Sequence, residues 1–210
     1  DRCVMTPESL PYVVAKAIRA AYKNRGAAVV VIPNDFGYVQ IPDVNYASTA
    51  LLEKQTPKQT PTDEEVDQFL KMVREAKRPV FHVGSGIKDH QDLLKKVAEK
   101  LQIPVTITGL AKGKVDDAWD GNLGTTNRAA SKAADEAFAT ADLVIALGAD
   151  FPFANLVYRT HDFKFVQIDN DESQFGRHHF LDLGIWADSG KFLEKVLERS
   201  EAVENRPFYQ

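Results

Sequence analysis

Apolar residues recur along this chain in two rhythms. Short continuous runs of β-type residues at 80–83, 104–108, 143–147, 163–168 and 185–187 alternate with stretches in which apolar side chains return every three or four positions. The helical stretches cover 62–76, 90–101, 129–140 and 189–199, with Thr62-Asp63-Glu64-Glu65 supplying a start signal for the first. A strand that is apolar at every position is buried on both faces, as in a parallel sheet covered by helices. With helices between the strands and no Asn-Gly hairpin, the pattern predicts an α/β fold: a doubly wound parallel sheet with helices on both faces. A loop of more than a dozen residues is expected after the second strand.

The first forty residues are different. Thr6-Pro7-Glu8-Ser9 predicts a helix start, with proline in the first turn and early negative charge, and the helix runs to about residue 22. After Gly26, the run at 27–33 (Ala-Ala-Val-Val-Val-Ile-Pro) predicts a buried strand. One helix and one strand do not make a domain. From 42 to 62 the periodicity lapses into Pro, Gln, Thr, Asn and Ser, a linker composition. The expected organisation is therefore a remnant at 1–42, a linker at 43–62, a domain at 63–200 and the start of a second linker at 201–210. Asp1 in place of an initiator Met, and an end at Asn205-Arg206-Pro207-Phe208-Tyr209-Gln210, lead us to expect a fragment.

Charge and cysteine content narrow the functions. The 26 basic and 30 acidic side chains leave a net charge of -4, which provides no electrostatic footprint for nucleic acid or an anionic membrane. Cys3 is the only cysteine, which excludes an internal disulfide and a thiolate zinc site and suits a reducing cytoplasm. No apolar run approaches the ~20 residues that span a bilayer, so no integral membrane segment is expected. His178-His179 is the one hint of a metal, but adjacent residues do not face one point and no third ligand is near, so no metal site is assigned.

In an open parallel sheet, ligands bind outside the carboxyl ends of the strands, so the residues just after each strand belong together. After the first come Gly84, Ser85, Gly86 and Ile87, a Gly-x-Gly turn before a helix expected from about Lys88. Such a turn clears the way for a phosphate and aims backbone N–H groups at it, but it is also simply a tight turn. Asp89 stands where a dinucleotide fingerprint needs its third glycine, which argues against a nicotinamide site. After the second strand comes Thr108-Gly109-Leu110-Ala111-Lys112-Gly113, and before the third helix Gly124, Thr125, Thr126, Asn127 and Arg128. The third strand is followed by Gly148, Ala149, Asp150, Phe151, Pro152 and Phe153, and the fourth ends at Asp169. Glycines, hydroxyls and a cation suit a diphosphate, a strand-end carboxylate suits ribose hydroxyls, and aromatic groups suit a flat ring. Bland alternatives stand beside these: Arg128 as a helix-start residue, Asp169 as the cap of the next turn, Phe151 and Phe153 as core. Trp119 and Trp186 read as packing residues.

Taken in order, Arg-Pro-Val-x-x-x-Gly-Ser-Gly, Gly-Leu-Ala-Lys-Gly, Leu-Gly-Thr-Thr-Asn-Arg, Ala-Asp-Leu-Val-Ile-Ala-Leu-Gly-Ala-Asp-Phe-Pro-Phe and Phe-Val-Gln-Ile-Asp-Asn-Asp resemble the central domain of thiamin-diphosphate-dependent enzymes. The motifs lean toward the flavin-containing pyruvate oxidases within that family. The resemblance covers about 76–199 and, more loosely, 6–42 as the end of a preceding pyrimidine-binding domain. It implies FAD as the cofactor of this domain, with Gly84, Ser85 and Gly86 at the diphosphate or ribityl chain and Thr125, Thr126, Asn127 and Arg128 as a second contact. It also implies Gly148 to Pro152 on the adenosine side, Asp169 on its hydroxyls, and Asp188 with Ser189 near the adenine. The intact enzyme would convert pyruvate, phosphate and oxygen to acetyl phosphate, carbon dioxide and hydrogen peroxide. Its thiamin diphosphate and magnesium would be held by other domains, and it would assemble as a dimer or tetramer. The family's thiamin-activating glutamate and Gly-Asp-Gly magnesium motif are expected outside this chain. Asp120-Gly121-Asn122 does not match the latter, so no catalytic residue is assigned and the chain alone is expected to be inactive. Two alternatives remain: a carboligase or decarboxylase domain holding structural FAD, ADP or no nucleotide, and a noncatalytic nucleotide-binding or oligomer-supporting module.

Overall fold

The computed structural model describes residues 2–24, 26–42, 58–126, 130–150, 162–204 and 206–209. The chain divides into two units, Asp1–Pro57 and Lys58–Gln210. In the first, β1 (Arg2–Cys3) pairs in parallel with β2 (Val30–Val31), and α1 (Leu10–Asn24) connects them. The helix expected from Thr6 is interrupted. Pro7–Ser9 forms a 3-10 turn, tightened by the Ser9 hydroxyl donating to the Thr6 carbonyl at 2.7 Å, and the α-helix begins only at Leu10. The strand expected over 27–33 pairs at two residues and is not buried: Val29, Val31 and Ile32 are exposed.

The second unit is a six-stranded, wholly parallel sheet in the order β5-β4-β3-β6-β7-β8. Its elements are α2 (Asp63–Glu75), β3 (Pro79–Val83), α3 (Gln91–Leu101), β4 (Val105–Ile107), β5 (Asn122–Thr125), α4 (Lys132–Thr140), β6 (Leu143–Leu147), β7 (Lys164–Asp169), β8 (Leu183–Trp186) and α5 (Ser189–Arg199). Side chains alternate across a strand, and here both sides are filled. Phe81, Val83, Ile145, Leu147, Val166 and Ile168 point into one apolar layer with Phe69 of α2, Leu94 of α3 and Phe192 of α5. Val80, Val144, Ala146 and Phe165 face the other layer, where Phe138 of α4 packs. β3 and β6 are buried at every position, which is why their sequences are continuous apolar runs rather than alternating ones.

Caps fix where the helices start. Thr62 and Glu65 form a reciprocal capping box, with the Thr62 N–H donating to Glu65 Oε2 at 2.7 Å and the Glu65 N–H to Thr62 Oγ1 at 3.2 Å. The third helix, expected from about Ala129, begins at Lys132 because Ser131 is its cap, accepting from the Ala134 N–H at 3.1 Å. The helix expected over about 90–101 runs from Gln91 to Leu101, so it does not start as early as Lys88. A 3-10 turn over Ser85–Ile87 comes first, and Lys88 leaves it at φ 51, a left-handed value unusual for a side chain. The long loop after β4 contains an extra strand, β5, joined to β4 with a register shift between Val105 and Ile107.

Both ends of this unit are tied down. The Asp188 N–H donates to the Gln59 carbonyl and Lys195 Nζ to the Pro61 carbonyl. Near the other end, the buried Arg206 guanidinium donates to the Ala76 and Val73 carbonyls at the end of α2, while its N–H donates to Gln102 Oε1.

Candidate functional site

The strand ends meet most closely where β3 and β6 leave the sheet. Gly84 N–H donates to the Leu147 carbonyl at 3.0 Å and Gly86 N–H to the Gly148 carbonyl at 2.9 Å. A Cβ on Gly86 would sit 2.7 Å from the Gly148 Cα, and one on Gly148 would sit 2.7 Å from the Gly86 Cα and 3.1 Å from Ser189 Oγ. Gly148 has φ +55, a conformation that favours glycine. The Gly-x-Gly turn therefore clears space first for the neighbouring backbone, and the Gly86 N–H is spent on Gly148 rather than offered to an anion. Of the two readings the sequence left open for these glycines, the tight turn accounts for this packing. Ser85 is exposed beside them, whereas the Ile87 side chain lies wholly in the core.

Two threonines continue the edge. Thr108 N–H donates to the Val83 carbonyl and Thr126 N–H to the Ile107 carbonyl, so the ends of β3, β4 and β5 are stitched in sequence. Thr126 is 5% exposed, and its buried Oγ1 has no hydrogen-bond partner among the described residues. An unsatisfied buried hydroxyl costs about 1–3 kcal/mol, so one retained at a strand end invites a ligand atom. Thr125 is half-buried in the last position of β5, and Leu110, just after β4, is 76% exposed.

Carboxylates occupy the other half. Asp169 closes β7, and its Oδ1 accepts from the Asp171 N–H at 3.0 Å, which is the turn-capping role. Burial pushes its carboxyl above the ordinary range, and the Asp171 and Asp150 charges add to that. The Ala187 N–H donates to the Asp169 carbonyl, which places Asp188 and Ser189 next along the edge. Asp188 is buried and caps α5, accepting from the Gly190 N–H at 3.1 Å and the Lys191 N–H at 3.4 Å. Lys58, Lys88 and His90 surround it at 3.7, 3.5 and 3.9 Å. Burial alone would raise its pKa, but the Lys58 and Lys88 charges and the Lys191 N–H outweigh burial and hold it below the ordinary value.

The structure thus brings Gly84, Ser85, Gly86, Thr108, Thr125, Thr126, Gly148, Ala149, Asp150, Asp169, Asp188 and Ser189 to one sheet edge. Asn127, Arg128, Phe151 and Pro152 lie outside the described residues, as does Phe153. Sequence reasoning missed Arg177 and His178, which reach Asp150 at 3.4 and 3.2 Å from the loop after β7. The strand-end rule that selected Asp169 would have included them had it been extended along that loop. His179 does not join them, because it stacks on Phe163 at 4.6 Å. Trp119 is buried, whereas Trp186 is 44% exposed and donates from Nε1 to the Asn170 carbonyl at 3.2 Å. No group of three metal-ligating side chains is found among the described residues, and no helix among them is long and apolar enough to cross a membrane.

Comparison with known proteins gives one family. The family model described as thiamine pyrophosphate enzyme, central domain, matches residues 66–196. A pyruvate oxidase from Lactiplantibacillus plantarum is 34% identical over 203 residues, 96% of this chain but 34% of that protein. The acetolactate synthase large subunit of Corynebacterium glutamicum is 28% identical over 205 residues, 95% of this chain and 33% of that protein. The chain therefore spans about a third of the length of these curated relatives. The crystal structure of benzoylformate decarboxylase from Polynucleobacter necessarius superposes with a TM-score of 0.78 at 19% identity, covering 97% of this chain and 39% of that one, a likeness of fold. With its six-stranded parallel sheet, its covering helices and a match across 66–196, this chain belongs to the thiamine pyrophosphate enzyme central domain family.

Proposed function

We propose that this chain is the FAD-binding central domain of a pyruvate oxidase. The observation that carries the cofactor reading is the buried Thr126 Oγ1, without a partner among the described residues and set on the same edge as Gly148 and Asp169. A nucleotide lying across this edge would find exposed Ser85 beside the Gly84–Gly86 turn, the Thr126 hydroxyl, and the Asp169 carboxylate for ribose hydroxyls. Exposed Leu110 would offer apolar surface to a flat ring. Asn127, Arg128, Phe151 and Pro152 remain proposed contacts by the family pattern. The 34% identity to a pyruvate oxidase supports the oxidase branch.

Bound flavin would supply a two-electron acceptor, and the residues of this chain would bind and orient it. Thiamin diphosphate and magnesium would be held by further domains of a cytoplasmic, oligomeric enzyme consuming pyruvate, phosphate and oxygen. A second reading, favoured by the 28% identity to an acetolactate synthase subunit, is a carboligase in which the nucleotide is structural. Titration with FAD, ADP, FMN and NAD tests the site, and FAD should bind most tightly. In the thiamin-loaded whole enzyme, pyruvate should bleach the flavin and release peroxide. A flavin that stays oxidised with pyruvate would overturn the oxidase reading in favour of the carboligase.

A further inference from the structure

The loops that follow β6 and β7 are held together by charge. Arg177 Nη1 lies 3.4 Å from Asp150 Oδ2, and His178 Nε2 lies 3.2 Å from Asp150 Oδ1. An ionised carboxylate only accepts, so His178 carries its proton on Nε2 in this contact. Arg177 also donates to Gln174 Oε1. Two further carboxylates stand close by. Asp171 is held below the ordinary carboxylate range first by hydrogen bonds from Ser173 and Gln174 and, further out, by the Arg177 charge. Asp169 is raised by burial and by the Asp171 and Asp150 charges. Asp150 is thus one of three carboxylates at the part of the edge where the proposed nucleotide would lie, and among the described residues the Arg177 guanidinium and the His178 ring are the side chains seen to reach it.

The side chains of Arg177 and Asp150 are each 49% exposed, and a pair so exposed adds little to fold stability. Its effect falls instead on what approaches. An unpaired carboxylate at this edge repels a diphosphate, and one paired with a half-exposed guanidinium repels it less. Asp150 also follows directly on Gly148 and Ala149, the backbone that seats against Gly86, so the same contact restrains that segment.

We propose that Arg177 and His178 are positioning residues for an anionic nucleotide: Arg177 neutralises Asp150, and the two together hold residues 148–150 in place without touching the ligand themselves. This rests on the FAD reading above. The test is a binding cycle on the whole chain, with FAD and ADP as ligands and flavin fluorescence or calorimetry as readout, for wild type, Arg177→Ala, Asp150→Asn and the double variant. Arg177→Ala should weaken both ligands about fivefold, Asp150→Asn should tighten them about threefold, and the double variant should bind like Asp150→Asn. An equal loss on Arg177→Ala in both backgrounds would overturn the inference, because Arg177 would then act on the ligand directly. No change in either background would overturn it too. If wild type binds neither ligand, the cofactor reading falls and takes this one with it, an outcome distinct from intact wild-type binding with the wrong cycle. Amide exchange at 148–150 in the ligand-free protein is the second readout. It should quicken in Arg177→Ala and His178→Ala, and unchanged exchange in both contradicts the restraint.

Discussion

Gly86 and Gly148 touch backbone to backbone: a Cβ on either would lie 2.7 Å from the Cα of the other. Because Gly148 also sits at φ +55, Gly148→Ala combines a clash with a left-handed strain, and neither can relax without parting β3 from β6. We expect Gly148→Ala to lose about 3 kcal/mol in chemical denaturation. Gly109→Ala, on the same edge but with nothing within 4 Å of an added Cβ, should stay within about 0.5 kcal/mol. Equal losses in the two variants would mean that the close approach is not what these glycines serve.

His82 makes the fold sensitive to acid. It is wholly buried in the middle of β3, edge-on to Phe138 at 5.2 Å, and its Nδ1 lies 3.2 Å from Thr106 Oγ1. The Thr106 hydroxyl gives its hydrogen to the Phe81 carbonyl, so Nδ1 is the protonated nitrogen of a neutral ring. Burial lowers the His82 pKa from 6.5 to about 3. Between those values the unfolded chain takes up a proton that the folded chain refuses. Stability from this group is therefore complete above 6.5 and drains away as pH falls toward 3, at about 1.4 kcal/mol per pH unit. The slope of unfolding free energy between pH 4 and 6 should be shallower by about that amount in His82→Gln, whereas identical slopes would show that the ring does not titrate on unfolding.

Asp188 makes a separate prediction. It caps α5 and answers Lys58 and Lys88, so Asp188→Ala removes both roles and should cost about 1–2 kcal/mol. Asp188→Asn keeps a capping oxygen and loses only the charge, so it should cost less. Because the folded carboxyl lies below its ordinary value of 3.8, the wild-type advantage over Asp188→Asn is present above that value and disappears as pH falls through the lower folded pKa. Thermal melts of the three proteins from pH 7 to pH 3 would show it, and an advantage that survives full acidification would refute the ionic part.

The apolar runs of β3 and β6 and the Thr62–Glu65 box were legible because each is local: burial on both faces demands a continuous run, and a capping box spans four residues. β5 was not legible, because it is an edge strand built on Asn122, Leu123, Gly124 and Thr125, half-buried throughout and held by β4 rather than by its own apolar pattern. The 3-10 turn and the kink before α3 were not legible for a similar reason, since a lysine at φ 51 has no signature in sequence. At the candidate site, Gly84 and Gly86 announced themselves as a turn, but the atoms they make room for belong to Gly148 on another strand. The Arg177–Asp150 contact was hidden in the same way, by joining two loops that only the strand order brings together.

Thr126 offers the sharpest test of the site, because its two expected effects have opposite signs. Replacing it with valine keeps the shape and the backbone bond from its N–H to the Ile107 carbonyl while deleting a buried hydroxyl that has no partner among the described residues. If the hydroxyl serves only the fold, losing it should leave stability unchanged or lower it. If it is held in reserve for a nucleotide, Thr126→Val should stabilise the ligand-free chain by about 1 kcal/mol and weaken FAD binding about five- to tenfold. Denaturation without ligand and titration with FAD on the same two proteins separate these cases. Gain in the first with loss in the second is the signature of a polar group whose partner is the ligand, and gain without loss would place the nucleotide elsewhere on the edge.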